Sequence, residues 1–178
     1  MQNDEGLVRR AQQRDQEALT QLYEEYFDKI YRYIVLKIGN KTEAEDMTQQ
    51  VFLNAIKSIS SFKWKGIPFS AWLFRIAHNQ MVDYLRKKTK RITVPLTESL
   101  VNTDDNPELV AEKSLDIERL HSATQRLTKA QREVISLRFS GGLSIAEAAK
   151  VMGKSQGAVK ALQHGAIVSL RKELCGIE

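Results

Sequence analysis

Along the first half of the chain, apolar residues recur three or four positions apart. Leu19, Leu22, Tyr23, Tyr26, Phe27, Ile30 and Ile34 form one series, and Met47, Val51, Phe52, Ala55, Ile56 and Ile59 a second. This spacing puts each series on one face of an α-helix. Gly39-Asn40 ends the first helix, and Thr42 is the expected N-cap of the second, with Glu43, Glu45 and Asp46 placed where the helix dipole favours acids. Residues 58–70, interrupted by Gly66-Ile67-Pro68, read as a loop or broken turn. A third helix is predicted from about Ser70 to Lys88, apolar at Trp72, Leu73, Ile76, Ala77, Met81, Val82 and Leu85.

Further on, Leu120, Leu127, Val134, Ile135 and Leu137 mark more helices, with a break at Leu127-Thr128 and Thr128 as the cap of the next. After Gly141-Gly142, Ser144 caps a short helix with Ile145, Ala148, Ala149 and Met152 on its apolar face. Gly153 permits a left-handed turn, and Ser155 caps a helix burying Ala158, Val159 and Leu162. No persuasive run alternates with period two and no repeat of solenoid length is present, so the fold class is all-α.

At 42% hydrophobic and 28% charged residues over a length of 178, the chain suits one ordinary globular domain or two small ones. Charge favours two. Residues 1–95 carry a net +5, residues 96–117 a net −5 and residues 118–178 a net +5. The acidic stretch follows Pro95 and contains Thr103-Asp104-Asp105-Asn106-Pro107, the composition of a flexible linker, although a helix could begin from Pro107. The expected organisation is therefore domain 1–95, acidic linker 96–117 and domain 118–178. A lone Cys175 supplies neither a disulfide framework nor a cysteine-rich zinc site and fits a reducing cytoplasm. No apolar run approaches the ~18 residues of a membrane helix, and Met1 to Arg14 is too polar for a secretory signal, so no membrane insertion is expected.

The two-helix pattern over 144–166 is that of a helix-turn-helix, in which the second helix enters the major groove. Ser155, Gln156, Lys160, Gln163 and His164 would then project outward, and Gln156, Lys160 and Gln163 could reach base edges or phosphates. A plain helical hairpin with a solvated face fits the same pattern. Residues 62–91 interleave Phe62, Trp64, Phe69, Trp72, Phe74 and Tyr84 with Lys63, Lys65, Arg75 and the basic run Arg86, Lys87, Lys88, Lys90 and Arg91. Basic groups neutralise phosphates and aromatic faces stack on unpaired bases, so the stretch describes a single-strand DNA surface. Trp72 and Phe74 are most simply core residues; Phe62 and Trp64 fit either exposure to nucleic acid or burial. Glu43, Glu45 and Asp46 are spread around a helix and suit a protein-docking face with Gln49 better than a metal site. His78, His121 and His164 are scattered, no nucleophile-base pair stands out, and neither catalysis nor a cofactor is expected.

Four stretches, 44–55, 69–91, 127–139 and 142–166, together resemble the extracytoplasmic-function (ECF) sigma factors of bacterial RNA polymerase. The resemblance implies that Asp46, Gln49, Gln50 and Phe52 dock on the β′ clamp helices of core polymerase. It implies that the aromatic loop with Phe62, Lys63, Trp64 and Lys65, together with Arg75, His78, Asn79, Asp83 and the basic run, opens the −10 promoter element and holds a flipped base. Ser155, Gln156, Lys160, Gln163, His164 and Arg171 would read the −35 element, with the preceding helices against the β flap. The acidic linker would thread toward the RNA exit path, and an anti-sigma protein is an expected partner. Gly165 stands where the family commonly has arginine, which predicts weakened or altered −35 binding. The rival reading is a helix-turn-helix repressor or activator that is not a polymerase subunit.

Overall fold

The computed structural model describes residues 4–91 and 119–175, all but the connecting turns helical. Linker 96–117 and the helix start expected at Pro107 lie outside the described residues. Helix α1 (Asp4–Gln12), absent from the sequence expectations, buries Leu7, Val8 and Ala11. Its Gln12 amide donates to the carbonyls of Ile59 and Phe62 at 3.0 and 2.9 Å and so ties down the aromatic loop.

Helix α2 (Gln16–Ile38) starts where the Asp15 carboxylate accepts the Glu17 and Ala18 amides and ends at Gly39. Gly39 has φ 76°, the left-handed conformation that glycine adopts without a Cβ penalty. Helix α3 (Lys41–Ser58) is capped by Asn40, whose Oδ1 accepts the Glu43 amide at 2.9 Å. The expected cap, Thr42, instead lies in the first turn, because Asn40 both leaves α2 and supplies the oxygen for α3. A 3₁₀ turn (Ile59–Ser61) and the loop precede helix α4 (Phe69–Arg91).

Helix α5 occupies residues 119–125, and the Arg132 guanidinium satisfies its Thr124 and Gln125 carbonyls. Helix α6 (Lys129–Ile135) has a reciprocal capping box between Thr128 and Gln131 and runs into a π-helical turn (Ser136–Ser140). Helix α7 (Ile145–Met152) has a second capping box, Ser144 with Glu147, and ends at Gly153. Ser155 Oγ accepts the Ala158 amide at 3.2 Å and starts helix α8 (Gln156–Cys175).

The two halves do not keep separate cores. Val134, Leu137, Leu143, Ala148, Val151 and Val159 pack in the same buried cluster as Ile30, Tyr33, Ile34, Leu73 and Phe74. Each fully buried side chain of this size contributes about 1.5–3 kcal/mol. A smaller cluster of Leu127, Ile135 and Ala166, flanked by Ile167 and Leu170, fastens α8 to α6. Several apolar positions of the helical pattern stay exposed at the rims, among them Ile56, Val82, Leu85 and Leu120.

Candidate DNA-reading and polymerase-docking surfaces

Gln156, Lys160, His164 and Arg171 on α8 are exposed, as is Ser155, whose Oγ is taken up in capping the helix. Gln163 is not. It is half-buried, and its Oε1 accepts a hydrogen bond from Arg138 Nε at 3.0 Å. Lys154, in the turn just before α8, is also exposed. Gly165 faces α6: a Cβ there would lie 3.0 Å from Gln131 Nε2. A side chain there would thus meet only the mobile end of Gln131, a neighbour that the sequence alone does not reveal.

In the aromatic loop Lys63 and Lys65 are exposed, but Phe62 is 5% exposed and belongs to the core. Its ring packs at 5.1 Å on Trp64, 5.1 Å on Trp72 and 5.8 Å on Phe69, geometry typical of buried aromatic clusters. Direct contact between Phe62 and DNA is therefore corrected to support of the loop from beneath. Trp64 is half-buried, and its indole Nε1 is buried without a hydrogen-bond acceptor among the described residues. Such an orphan donor is a cost that native structures seldom keep.

On α4, Asn79, Asp83, Arg86, Lys87 and Lys88 are exposed, Asp83 pairs with Arg86 at 3.1 Å, and Lys90 and Arg91 are the last two residues of the helix. Arg75 and His78 are engaged by the other half of the chain. Arg75 Nη2 donates to the Lys150 carbonyl at 2.7 Å, and His78 Nδ1 donates to Glu133 at 3.0 Å. Glu133 also accepts the Tyr33 hydroxyl at 2.7 Å and pairs with Lys37. Burial works to raise the Glu133 carboxyl, but the His78 hydrogen bond and the Lys37 charge outweigh it and hold it down to about 2. Burial lowers Lys37 despite the attraction of Glu133, and burial followed by the carboxylate drives the Tyr33 phenol upward. Near the helix-turn-helix, Glu147 is held below the usual carboxylate range: burial opposes this, and the Ser70 hydroxyl and Ser144 amide prevail. None of these buried polar contacts follows from the helical periodicity, which does not mark Glu133 or Glu147 as buried.

On α3, Asp46, Gln49 and Gln50 form an exposed polar stripe. Phe52 is buried at 6% exposure, edge-on to Tyr23 at 4.8 Å, so its expected docking contact is corrected to a core role. An open groove of about 540 Å³ runs between α3 and α4, lined by Asp46, Met47, Gln50, Gln80, Asp83 and Lys87 among others. Tyr84 and Lys88 on α4 both hold Glu43 on α3, fixing one end of the groove. Among the described residues no helix is long and apolar enough to cross a membrane, and no cluster of three or more potential metal ligands occurs.

Residues 22–91 match the family Sigma-70 region 2 and residues 123–172 match Sigma-70, region 4. The ECF RNA polymerase sigma factor BldN of Streptomyces coelicolor is 41% identical over 170 residues, covering 94% of this chain and 64% of that protein, so the chain spans less than two thirds of this relative. SigW of Bacillus subtilis, also an ECF RNA polymerase sigma factor, is 31% identical over 177 residues, covering 94% of each. Among solved structures, CnrH in complex with the cytosolic domain of CnrY superposes with TM-score 0.77 at 27% identity, covering 98% of this chain and 99% of that one. The sigma factor RpoE of Bartonella quintana, solved with the anti-sigma factor NepR, gives 0.68 at 25% identity, covering 89% and 97%. With region 2 and region 4 both present, in that order, and with SigW matched along nearly its whole length, this chain belongs to the ECF sigma factors of bacterial RNA polymerase.

Proposed function

We propose that the chain binds core RNA polymerase, carries it to promoters through −10 and −35 contacts, and helps to melt the promoter. The observation that carries this reading is the combination of an exposed recognition helix, α8, with a region 2 body whose basic α4 and aromatic loop lie elsewhere on the same chain. A duplex-binding repressor or activator would account for α8 and would leave α3, α4 and the loop without a task.

In this scheme Asp46, Gln49 and Gln50 dock on the β′ clamp helices, and the helices before α8 meet the β flap. Lys63, Lys65, Arg86, Lys87 and Lys88, with Lys90 and Arg91 beyond them, follow the phosphates of the opened strand while Asn79 and Asp83 take part in holding a flipped base. Flipping a base costs a few kcal/mol, offset by stacking and hydrogen bonding in the protein. Ser155, Gln156, Lys160, His164 and Arg171 read or clamp the −35 duplex, where each well-made base contact discriminates by roughly 1–3 kcal/mol. The protein does no covalent chemistry, works in the cytoplasm, and is held in check by an anti-sigma protein, as RpoE is paired with NepR in its solved complex.

Mixing the purified chain with core polymerase tests the docking surface. A stoichiometric complex is expected, weakened at least tenfold when Asp46, Gln49 and Gln50 are replaced together by alanine, with unchanged helical content. Binding to promoter duplex without any association with core polymerase would refute the proposal.

A further inference from the structure

Arg138, on the π-helical turn (Ser136–Ser140), grips the helix-turn-helix at two points. Its Nη1 donates to the Leu143 carbonyl, just ahead of the Ser144 cap of α7, and its Nε donates to Gln163 Oε1 on α8 at 3.0 Å. A guanidinium has donors only and keeps its proton, so the amide atom that meets it is the oxygen, and this settles which way round the Gln163 amide stands. Gln163 Nε2 has no acceptor among the described residues, yet the buried side-chain atoms without a partner there are Trp64 Nε1 and Gln80 Oε1. The Gln163 amino group is therefore open to solvent.

Gln156, Lys160 and Gln163 recur at helical spacing and so share one side of α8. The first two are exposed, and Gln163 is half-buried at the edge of the face they form. A glutamine with a free amide matches adenine, accepting from N6 and donating to N7. Here the oxygen is already taken, by a charged donor whose hydrogen bond is roughly twice as strong as one between neutral groups. The amino group of a base does not displace it on equal terms. What the amide still offers is a pair of donors. Guanine accepts at both O6 and N7, whereas adenine turns its own N6 donors toward the same place.

We propose that Arg138 is a positioning residue for −35 reading: by holding Gln163 Oε1 it makes the Gln163 amide a donor-only contact, which selects guanine against adenine at one position of the −35 element. The inference rests on the proposed −35 role of α8. Without Arg138 the same glutamine regains its oxygen and selects adenine.

The test loads the full chain onto sigma-free bacterial core polymerase, selects promoter fragments randomised across the −35 region, and repeats the selection with Gln163→Ala and with Arg138→Met. One position should favour guanine over adenine by about fivefold or more in the unsubstituted chain. It should lose that preference in Gln163→Ala and favour adenine in Arg138→Met, while the remaining positions keep theirs. A merely structural Arg138 would weaken every position together, and that result overturns the proposal, as does a motif in which no position responds to Gln163→Ala. A second measurement needs no variant. At the guanine position, purine, which is adenine without its 6-amino group, should be bound at least as tightly as adenine because an opposing donor is gone; looser binding would reveal a free Gln163 oxygen and overturn the proposal. If the chain does not join core polymerase, or no −35 preference emerges, the sigma-factor reading fails and this inference with it. A −35 motif indifferent to Gln163 and Arg138 leaves that reading standing and removes the inference alone.

Discussion

Phe62 and its neighbours Lys63 and Lys65 stand side by side in the chain and do opposite work. Phe62 fills a pocket among three other rings, so Phe62→Ala should cost about 3–5 kcal/mol of stability, read in urea denaturation. Lys63→Ala and Lys65→Ala should leave stability within about 0.5 kcal/mol and instead lower the salt dependence of DNA binding by about one counterion each. If the two lysine variants lost stability while Phe62→Ala did not, the placement of the loop would be wrong. Gly165 makes a different case. An alanine there should gain about 1 kcal/mol of helix propensity, yet its Cβ would press on Gln131, whose side chain closes the capping box of α6. In the native background the gain should therefore be smaller than in a Gln131→Ala background, a coupling that a double-mutant cycle in urea measures directly. Gly165→Arg faces the same contact, so any phosphate contact it adds to −35 binding comes with a packing cost.

The helices owe their limits to a few side chains that can be tested singly. Ser144→Ala removes one arm of the α7 capping box and should cost about 1 kcal/mol. Because α7 aims α8, the same change should weaken duplex binding, whereas Lys160→Ala, on the exposed face, should reduce the salt slope with stability unchanged. The caps at Thr128, Ser144 and Ser155, the left-handed Gly39 and Gly153, and most of the apolar faces of α2, α3, α4 and α7 were legible, since each is a local signal, whereas on α8 only Val159 of the expected face is buried and Ala158 is exposed. Helix α1 was not, because Leu7, Val8 and Ala11 make too short an apolar series to show a period. Phe52 and Phe62 were misplaced for another reason: adjacency in sequence to docking or basic residues does not tell which way a ring turns. Gln163 was misread likewise, since its partner Arg138 lies 25 residues away.

At the scale of the molecule, the charge pattern anticipated two bodies but not their union. Glu133, Tyr33, Lys37 and His78 sit on three different helices, and only the tertiary fold brings them together. Their linkage to pH has a definite sign. Glu133 is held at about 2 in the folded protein against an ordinary value of 4.5, so its ionised form stabilises the fold fully above about pH 4.5. That contribution should fade as the pH falls from 4.5 through 2. Glu133→Gln should flatten this part of the acid-unfolding profile; an unchanged slope would mean that the carboxylate is not held as described. In the proposed function, two DNA-facing surfaces on one chain direct a polymerase to promoters. Transcription of fragmented genomic DNA by sigma-free bacterial core polymerase, with and without this protein and with the 5′ ends of the transcripts sequenced, tests it most directly. New start sites sharing two upstream motifs, one near −10 and one near −35, are predicted; tight duplex binding with no new starts would contradict the claim and favour a simple repressor.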